Sequence, residues 1–97
     1  MTITRKQDGN TLEIILAGRL DTATAPELKK EVDQIPNGIK KLIFDFTDLD
    51  YISSAGLRIM LLARRAVGNG KMIIRNANEL VREVFEVTDF TQLYDFE

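Results

Sequence analysis

Apolar and polar residues alternate near the start of the chain, a pattern that predicts extended strands. Leu12, Ile14 and Leu16 fall on one side of such a strand, because successive side chains of a strand point to opposite faces. Residues 8–10 (DGN) form a turn sequence just before them. We therefore expect residues 2–6 to pair with this strand as a hairpin.

A change to helical spacing follows the hairpin. Thr24 is placed as an N-cap, Pro26 lies in the first turn, and Glu27 stands three residues after Thr24, where it would complete a capping box. Residues 36–38 (PNG) predict the end of this helix.

The middle of the chain predicts a buried strand and then a buried helix. Residues 42–46 alternate, but Ile43 adds an apolar side chain on the second face, which is typical of a central strand. Residues 48–50 (DLD) predict a turn after this strand. A densely apolar helix then begins near Ser53 or Ser54 and ends before the glycines at 68–70.

The last third repeats the alternation: residues 72–74 predict a strand, Asn78 caps a helix, and residues 90–96 predict a short final strand. The order β-β-α-β-α-β-α-β predicts an α/β fold. In it a mixed sheet, made of the N-terminal hairpin and parallel strands, packs with about three helices. We expect all 97 residues to form one domain (1–97), since two halves would each be too short to bury a core.

Composition excludes several classes of function. The chain has no Cys and no His, so disulfides, thiolate zinc sites and histidine-dependent catalysis are absent. The glycines form neither a Walker pattern nor a dinucleotide fingerprint, and we expect no cofactor and no metal. Fifteen acidic and thirteen basic residues are interspersed, with a net charge of −2, which disfavours nucleic acid. No segment is apolar enough to predict a signal peptide or a membrane span, so we expect a cytoplasmic protein.

Two adjacent serines stand where the central strand gives way to the buried helix. One of Ser53 and Ser54 suffices as an N-cap, and the second is either filler or a hydroxyl that carries a phosphate at the positive end of the helix. Gly56 would let a phosphate or another backbone come close. A third interpretation is catalysis by Ser54 with a lysine as base; the candidates are Lys40, Lys41 and Lys71.

Asp21 also allows two interpretations. It either forms an Asx turn or N-cap for the first helix, or it lies beside Ser54 where strand ends converge. In the second case Asp48 and Asp50 would add to an acidic surrounding. Arg58, in the first half of the buried helix, is either solvated or a contact for a partner.

Three segments of the chain form a recognisable pattern: GRLDTATAPEL at 18–28, KLIFDFTDLDYISSAGLRIMLLARR at 41–65 and GKMIIRNANELVREVFEVTDF at 70–90. In these segments the chain resembles the STAS domain family, in particular its stand-alone bacterial anti-sigma factor antagonists. The family's Asp-Ser-[Ser/Thr/Ala]-Gly-Leu motif aligns with residues 53–57 of this chain. The resemblance therefore implies Ser54 as the phosphoacceptor, with Ser53 as a less favoured acceptor.

The resemblance implies further site residues and also shows two departures. The family's conserved aspartate falls on Asp21, with Gly18 in register. Ser53 stands where the family has an aspartate, and Arg58 stands where many members have glycine. The implied partner-binding residues are Asp21, Thr22, Ser53, Ser54, Gly56 and Arg58.

The implied function is partner switching without enzymatic activity of the chain itself. Unphosphorylated protein would bind an anti-sigma factor that is also a serine kinase with a histidine-kinase-like ATPase fold, and so free a sigma factor. Phosphorylation of Ser54 would weaken that binding, and a metal-dependent serine phosphatase would reverse it. ATP and magnesium belong to the kinase, and the chain is expected to be a monomer or weak dimer. The alternative is a constitutive scaffold subunit of a larger signalling or transport complex.

Overall fold

The secondary structure follows the order that the sequence pattern predicts. The computed structural model of the chain describes residues 1–88 and 94–97. Its elements are β1 (Thr2–Asp8), β2 (Thr11–Leu20), α1 (Ala25–Asp33), β3 (Lys41–Ile52), α2 (Ser54–Ala66), β4 (Lys71–Arg75), α3 (Glu79–Val87) and β5 (Asp95–Phe96). The predicted last strand, 90–96, is present at its end, while residues 89–93 lie outside the described residues.

The strands form one mixed sheet in the order β1-β2-β3-β4-β5. β1 pairs with β2 as an antiparallel hairpin, and β2, β3, β4 and β5 run parallel to one another. The prediction that residues 42–46 belong to a central strand is confirmed. The α/β class with an N-terminal hairpin and three helices in the described chain is confirmed as well.

The hydrophobic core lies on one face of this sheet, between the strands and the helices. Alternate side chains of β2 and β3, such as Ile14 and Phe44, join helix side chains such as Leu28, Met60 and Phe85 in one buried cluster. Each of these five side chains is fully buried. Burial of this area supplies the main driving force for folding.

The opposite face of the sheet carries a small apolar pair under charged side chains. Ile43 and Ile73 are paired across β3 and β4 and are buried, although they do not belong to the main cluster. Arg75 lies over this face and approaches Glu13 at 3.9 Å and Glu97 at 3.1 Å. Long charged side chains therefore cover the second face, which explains the apolar residue on both sides of the central strand.

The turn predicted at 48–50 is wrong, because β3 continues through it to Ile52. The pairing with β2 steps from Ile15–Asp45 to Ala17–Asp48, so β3 contains one extra residue there, and a second irregularity follows Gly18. Such bulges change which side chains face the core. Phe46, Leu49 and Ile52 are buried at intervals of three, a spacing that a strand with a strict two-residue period does not allow.

Tyr94 closes the core next to α3. Its ring contacts the ring of Phe85 edge to face, with centroids 5.4 Å apart. Its hydroxyl is buried and has no hydrogen-bond partner among the described residues. Burial raises the pKa of Tyr94 to about 12, because the phenolate would lose its hydration.

We expect Tyr94→Phe to flatten the loss of stability at alkaline pH. In the native protein the neutral hydroxyl is favoured, whereas the unfolded chain ionises near the ordinary value of 10.0, so the free energy of unfolding falls as the pH rises from about 10 to about 12. The phenylalanine variant lacks this contribution and, at neutral pH, is more stable by about 1 kcal/mol because no polar group is buried unpaired. Urea denaturation across this pH range measures both effects. An unchanged slope in the variant would contradict the assignment.

Candidate functional site

The candidate site lies where β2 and β3 end side by side. Leu20 pairs with Ile52 in the parallel register. The backbone N–H of Ser53 donates to the carbonyl of Leu20 at 2.9 Å. Asp21 follows Leu20 and Ser54 follows Ser53, so both residues come directly after strands that end at the same edge of the sheet.

The two serines at this edge have different environments. Ser53 is the N-cap of α2, with an extended backbone, and its Oγ accepts a hydrogen bond from the N–H of Gly56 at 3.3 Å. Ser54 is the first residue of the helix and is exposed, and its hydroxyl makes no hydrogen bond with the described residues. The capping hydroxyl is thus Ser53, and the hydroxyl open to a partner is Ser54.

The start of α2 is suited to a negative charge at Ser54. A helix N-terminus presents unpaired N–H groups and the positive end of the helix dipole. The first turn of α2 contains no acidic residue that would already neutralise it. A phosphate on the first helical residue would therefore be tolerated by the helix and would add charge to the surface.

Gly56 has a packing role at this site. It is buried, and a Cβ at this position would lie 2.7 Å from Cγ of Leu20 and 2.9 Å from Cγ1 of Ile52. The expectation that Gly56 leaves room for a phosphate is wrong, because these two core side chains occupy that space. The missing side chain lets α2 pack directly on the ends of β2 and β3.

Asp21 forms an Asx turn that leads into α1. Its Oδ1 accepts hydrogen bonds from the backbone N–H groups of Ala23 at 3.0 Å and Thr24 at 3.1 Å. The hydrogen bond from the N–H of Thr24 is the main cause that lowers the pKa of Asp21. The Asx-turn interpretation of Asp21 is therefore confirmed, and the interpretation that Asp21 lies beside Ser54 stays a prediction.

The capping box predicted at Thr24 and Glu27 is wrong. Thr24 is the N-cap residue of α1, but its side chain makes no capping hydrogen bond. Instead its Oγ1 donates to the carbonyl of Arg19 at 2.7 Å and accepts from the N–H of Asp21 at 2.9 Å. Thr24 thus closes the loop after β2, a role that depends on contacts which the sequence pattern does not reveal.

Arg19 and Tyr51 complete this edge of the sheet and were missed by the sequence reasoning. The guanidinium carbon of Arg19 lies 4.3 Å from the centroid of the Tyr51 ring, within the range of a cation–π contact. Its Nε lies 3.9 Å from Oδ2 of Asp21. The cross-strand pairing of Arg19 with Tyr51 could have revealed this contact, but the bulges in β3 prevent that register from being predicted from the sequence.

The other predicted site residues are exposed at or near the same edge. Thr22 follows Asp21 in the loop, and Asp48 and Asp50 lie in the last part of β3. Arg58 lies four residues after Ser54 on α2, a spacing that places two side chains on one helix face. It forms no ion pair with any described residue.

Catalysis by Ser54 with a lysine is excluded by geometry for the three candidates. Lys40 and Lys41 stand at the start of β3 and Lys71 begins β4, whereas Ser54 follows the opposite end of β3. The twelve residues of β3 separate the two ends by more than about 20 Å, far beyond the reach of a lysine side chain. Among residues 1–88 and 94–97, no acidic cluster could hold a metal ion and no helix is long and apolar enough to cross a membrane.

Comparison with known sequences gives a full-length match. Residues 2–97 match the STAS domain family. BtrV of Bordetella bronchiseptica, named as an anti-sigma factor antagonist, is 33% identical over 97 residues that cover 97% of this chain and 84% of that protein. The anti-sigma-B factor antagonist of Listeria monocytogenes is 26% identical over 95 residues, which cover 94% of this chain and 82% of that protein.

Solved structures share the fold. The anti-sigma factor antagonist SpoIIAA in its unphosphorylated form matches with a TM-score of 0.78 at 20% identity, over 99% of this chain and 87% of that chain. SpoIIAA of Bacillus in its phosphorylated form matches with a TM-score of 0.76 at 19% identity, over 99% of this chain and 91% of that chain.

Two substitutions of Asp21 separate its structural role from its charge. Asp21→Asn keeps an Oδ1 acceptor for the N–H groups of Ala23 and Thr24 but loses the charge that the lowered pKa shows the fold to favour, so we expect it to lower the melting temperature less than Asp21→Ala does. Asp21→Ala removes the acceptor and should lower the melting temperature. Thermal unfolding followed by circular dichroism at neutral pH compares the two. Equal destabilisation by both variants would show that the charge, and not the Asx turn, is what the fold requires.

The same carboxylate predicts a direction for the pH dependence. The pKa of Asp21 is lowered in the folded state, so its contribution is present above the ordinary value of 3.8 and is lost as the pH falls through the folded value. The difference in melting temperature between the wild type and Asp21→Ala should therefore shrink below about pH 4.

Proposed function

Because the chain belongs to the STAS domain family, we propose that it is an anti-sigma factor antagonist whose binding is switched off by phosphorylation of Ser54. One observation carries the proposal: Ser54 is exposed with a free hydroxyl at the first residue of α2, while the hydroxyl of Ser53 is engaged as the N-cap. The names of the Bordetella and Listeria relatives support the function, and the two forms of SpoIIAA support the switch.

In this mechanism the unphosphorylated chain binds an anti-sigma factor and so releases a sigma factor. The anti-sigma factor is also a serine kinase with a histidine-kinase-like ATPase fold. It transfers the γ-phosphoryl group of ATP to Oγ of Ser54: the bond from the γ-phosphorus to the β,γ-bridging oxygen breaks, ADP leaves, and the hydroxyl proton is released to solvent. A metal-dependent serine phosphatase hydrolyses the phosphoserine and resets the chain. The chain acts in the cytoplasm as a substrate and a binding module, and it is not an enzyme.

The charges around Ser54 suggest how the modification acts. A phosphate brings nearly two negative charges to an edge that already carries Asp21, with Asp50 and Asp48 two and four residues before the end of β3. The start of α2 and the guanidinium of Arg58 attract the phosphate, so the helix stays folded. The change therefore lies in the surface potential, and an interface formed with unphosphorylated Ser54 would meet unbalanced negative charge.

Phosphorylation by the cognate anti-sigma factor tests which serine is the acceptor. We expect one phosphate per chain after incubation with ATP, and we expect Ser54→Ala to abolish it. Ser53→Ala should still be phosphorylated, although loss of the N-cap should lower the free energy of unfolding by about 1 kcal/mol. Intact mass spectrometry gives the phosphate count and urea denaturation gives the stability.

Two outcomes would contradict this assignment. Phosphorylation that survives in Ser54→Ala and disappears in a folded Ser53→Ala would move the acceptor to Ser53. Absence of phosphate on the wild type with the kinase that binds it would favour a constitutive scaffold.

Charge at Ser54 should weaken partner binding without unfolding the chain. We expect Ser54→Asp to reduce affinity for the anti-sigma factor roughly tenfold or more, because like charges or an unpaired charge at an interface are costly. Ser54→Asn is the matched control, since it has nearly the same shape and no charge. Titration calorimetry measures affinity, and circular dichroism verifies the fold. If the two variants bind equally, the electrostatic part of the mechanism is wrong.

A further inference from the structure

A basic groove lies at the end of the sheet opposite Ser54, where β3 and β4 begin and α2 ends. Its volume is about 640 Å³. All the charged side chains that line it in the described structure are cations: Lys40, Lys41, Arg65 and Lys71. None of the four forms an ion pair with a described residue. The groove therefore presents a concentrated positive charge in a chain whose net charge is negative.

Only part of this charge is explained by the fold. Arg64 and Arg65 stand in the last turn of α2, where cations stabilise the negative end of the helix dipole, and Arg64 also donates to the carbonyls of Gly68 and Gly70. The lysines come from the start of two strands and have no such role. The apolar residues that line the groove, here called its floor, are Ile39 and Val67, which are buried, and Ala66, which is exposed.

α3 presents a surface of the opposite character, here called the acidic α3 face. Its members are Glu79, Leu80, Arg82, Glu83, Val84, Glu86, Val87 and Thr88. Leu80 is 53% exposed and Val87 is 80% exposed, and these are the large exposed hydrophobic side chains of the described structure. Nε of Arg82 lies 3.7 Å from Oε1 of Glu86, and its guanidinium lies over the ring of Phe96. Glu79 and Glu83 form no ion pair with a described residue. The apolar side chains of Leu80, Val84 and Val87, four and three residues apart, thus lie next to the unpaired carboxylates of Glu79 and Glu83.

We propose that the acidic α3 face of one copy docks into the basic groove of a second copy. The unpaired glutamates of the first meet the unpaired lysines of the second, and Leu80 and Val87 meet the apolar floor. An exposed apolar stripe with a polar margin is typical of an interaction surface. The negative net charge of the chain and the apolar floor of the groove favour such a mixed acidic and apolar surface over a nucleic acid, which would offer charge alone.

The geometry of this contact predicts its assembly. Two different surfaces of one chain form a heterologous contact, which builds rings or open chains and not a closed twofold dimer. One nine-residue helix buries little area, so the contact belongs to the weak class of interfaces, those below about 1,200 Å². It does not involve Ser54 and is independent of the proposed switch.

Sedimentation of the full chain tests the proposal. We expect the average mass of the wild type to rise with concentration up to about 1 mM without stopping at a dimer, and to fall to that of a monomer in about 1 M salt, where exposed charges are screened. A groove variant, Lys40→Glu with Lys71→Glu, and a face variant, Glu79→Lys with Glu83→Lys, should each remain monomeric. An equimolar mixture of the two variants should associate again, since each keeps one intact surface and their reversed surfaces also match.

A matched control makes the experiment specific. Lys6→Glu with Lys30→Glu changes the net charge by the same amount as the groove variant, but both residues are exposed and lie outside the two surfaces. This control should associate like the wild type, and circular dichroism must show that all variants are folded. A wild type that stays monomeric, a plateau at the dimer, or a mixture that fails to associate would each overturn the proposal.

Discussion

The parallel pairing of β2 with β3 determines the position of every residue at the candidate site. It sets Leu20 beside Ile52, and the carbonyl of Leu20 then accepts a hydrogen bond from the N–H of Ser53 at 2.9 Å. The side chains of Leu20 and Ile52 fill the space beside Gly56, so a Cβ at position 56 would lie too close to them. One register thus orients the start of α2, places Ser54 at the surface and brings the loop of Asp21 to the same edge. A shift of one residue would turn each of these side chains to the other face.

Much of this fold could be predicted from the sequence because burial leaves a periodic trace. The hairpin, the central strand and the helix capped by Asn78 each follow from local patterns that act in the same direction. The pattern failed at residues 48–50, where two polar residues flank Leu49 and imitate a turn. There β3 gains extra residues relative to β2, and a bulge is a property of two strands together. It leaves no unambiguous signal in the sequence of either strand alone.

The site shows the same division between local and tertiary information. The sequence identified two serines at a helix start, but the choice of the capping residue depends on where β3 ends and on the contact between Ser53 and Leu20. It identified an acidic turn residue at Asp21 and placed Thr24 at the N-cap of α1, but it predicted a capping role for the Thr24 hydroxyl, which instead donates to the carbonyl of Arg19. Residue type was informative in both cases. The hydrogen-bond partner of each hydroxyl could not be predicted, because that partner is a backbone group whose position depends on the folded loop or strand end.

The two ends of α2 divide the molecule into surfaces that act independently. α2 has 13 residues and spans about 20 Å, which is more than twice the Debye length of about 8 Å at physiological ionic strength. A phosphate on Ser54 would therefore be screened from the lysines at the far end and would change the potential only near Asp21, Arg58 and the start of the helix. The charges of the serine edge and those of the basic groove are thus electrostatically separate. A small α/β domain of this kind can change one interaction by modification while the opposite surface keeps its own.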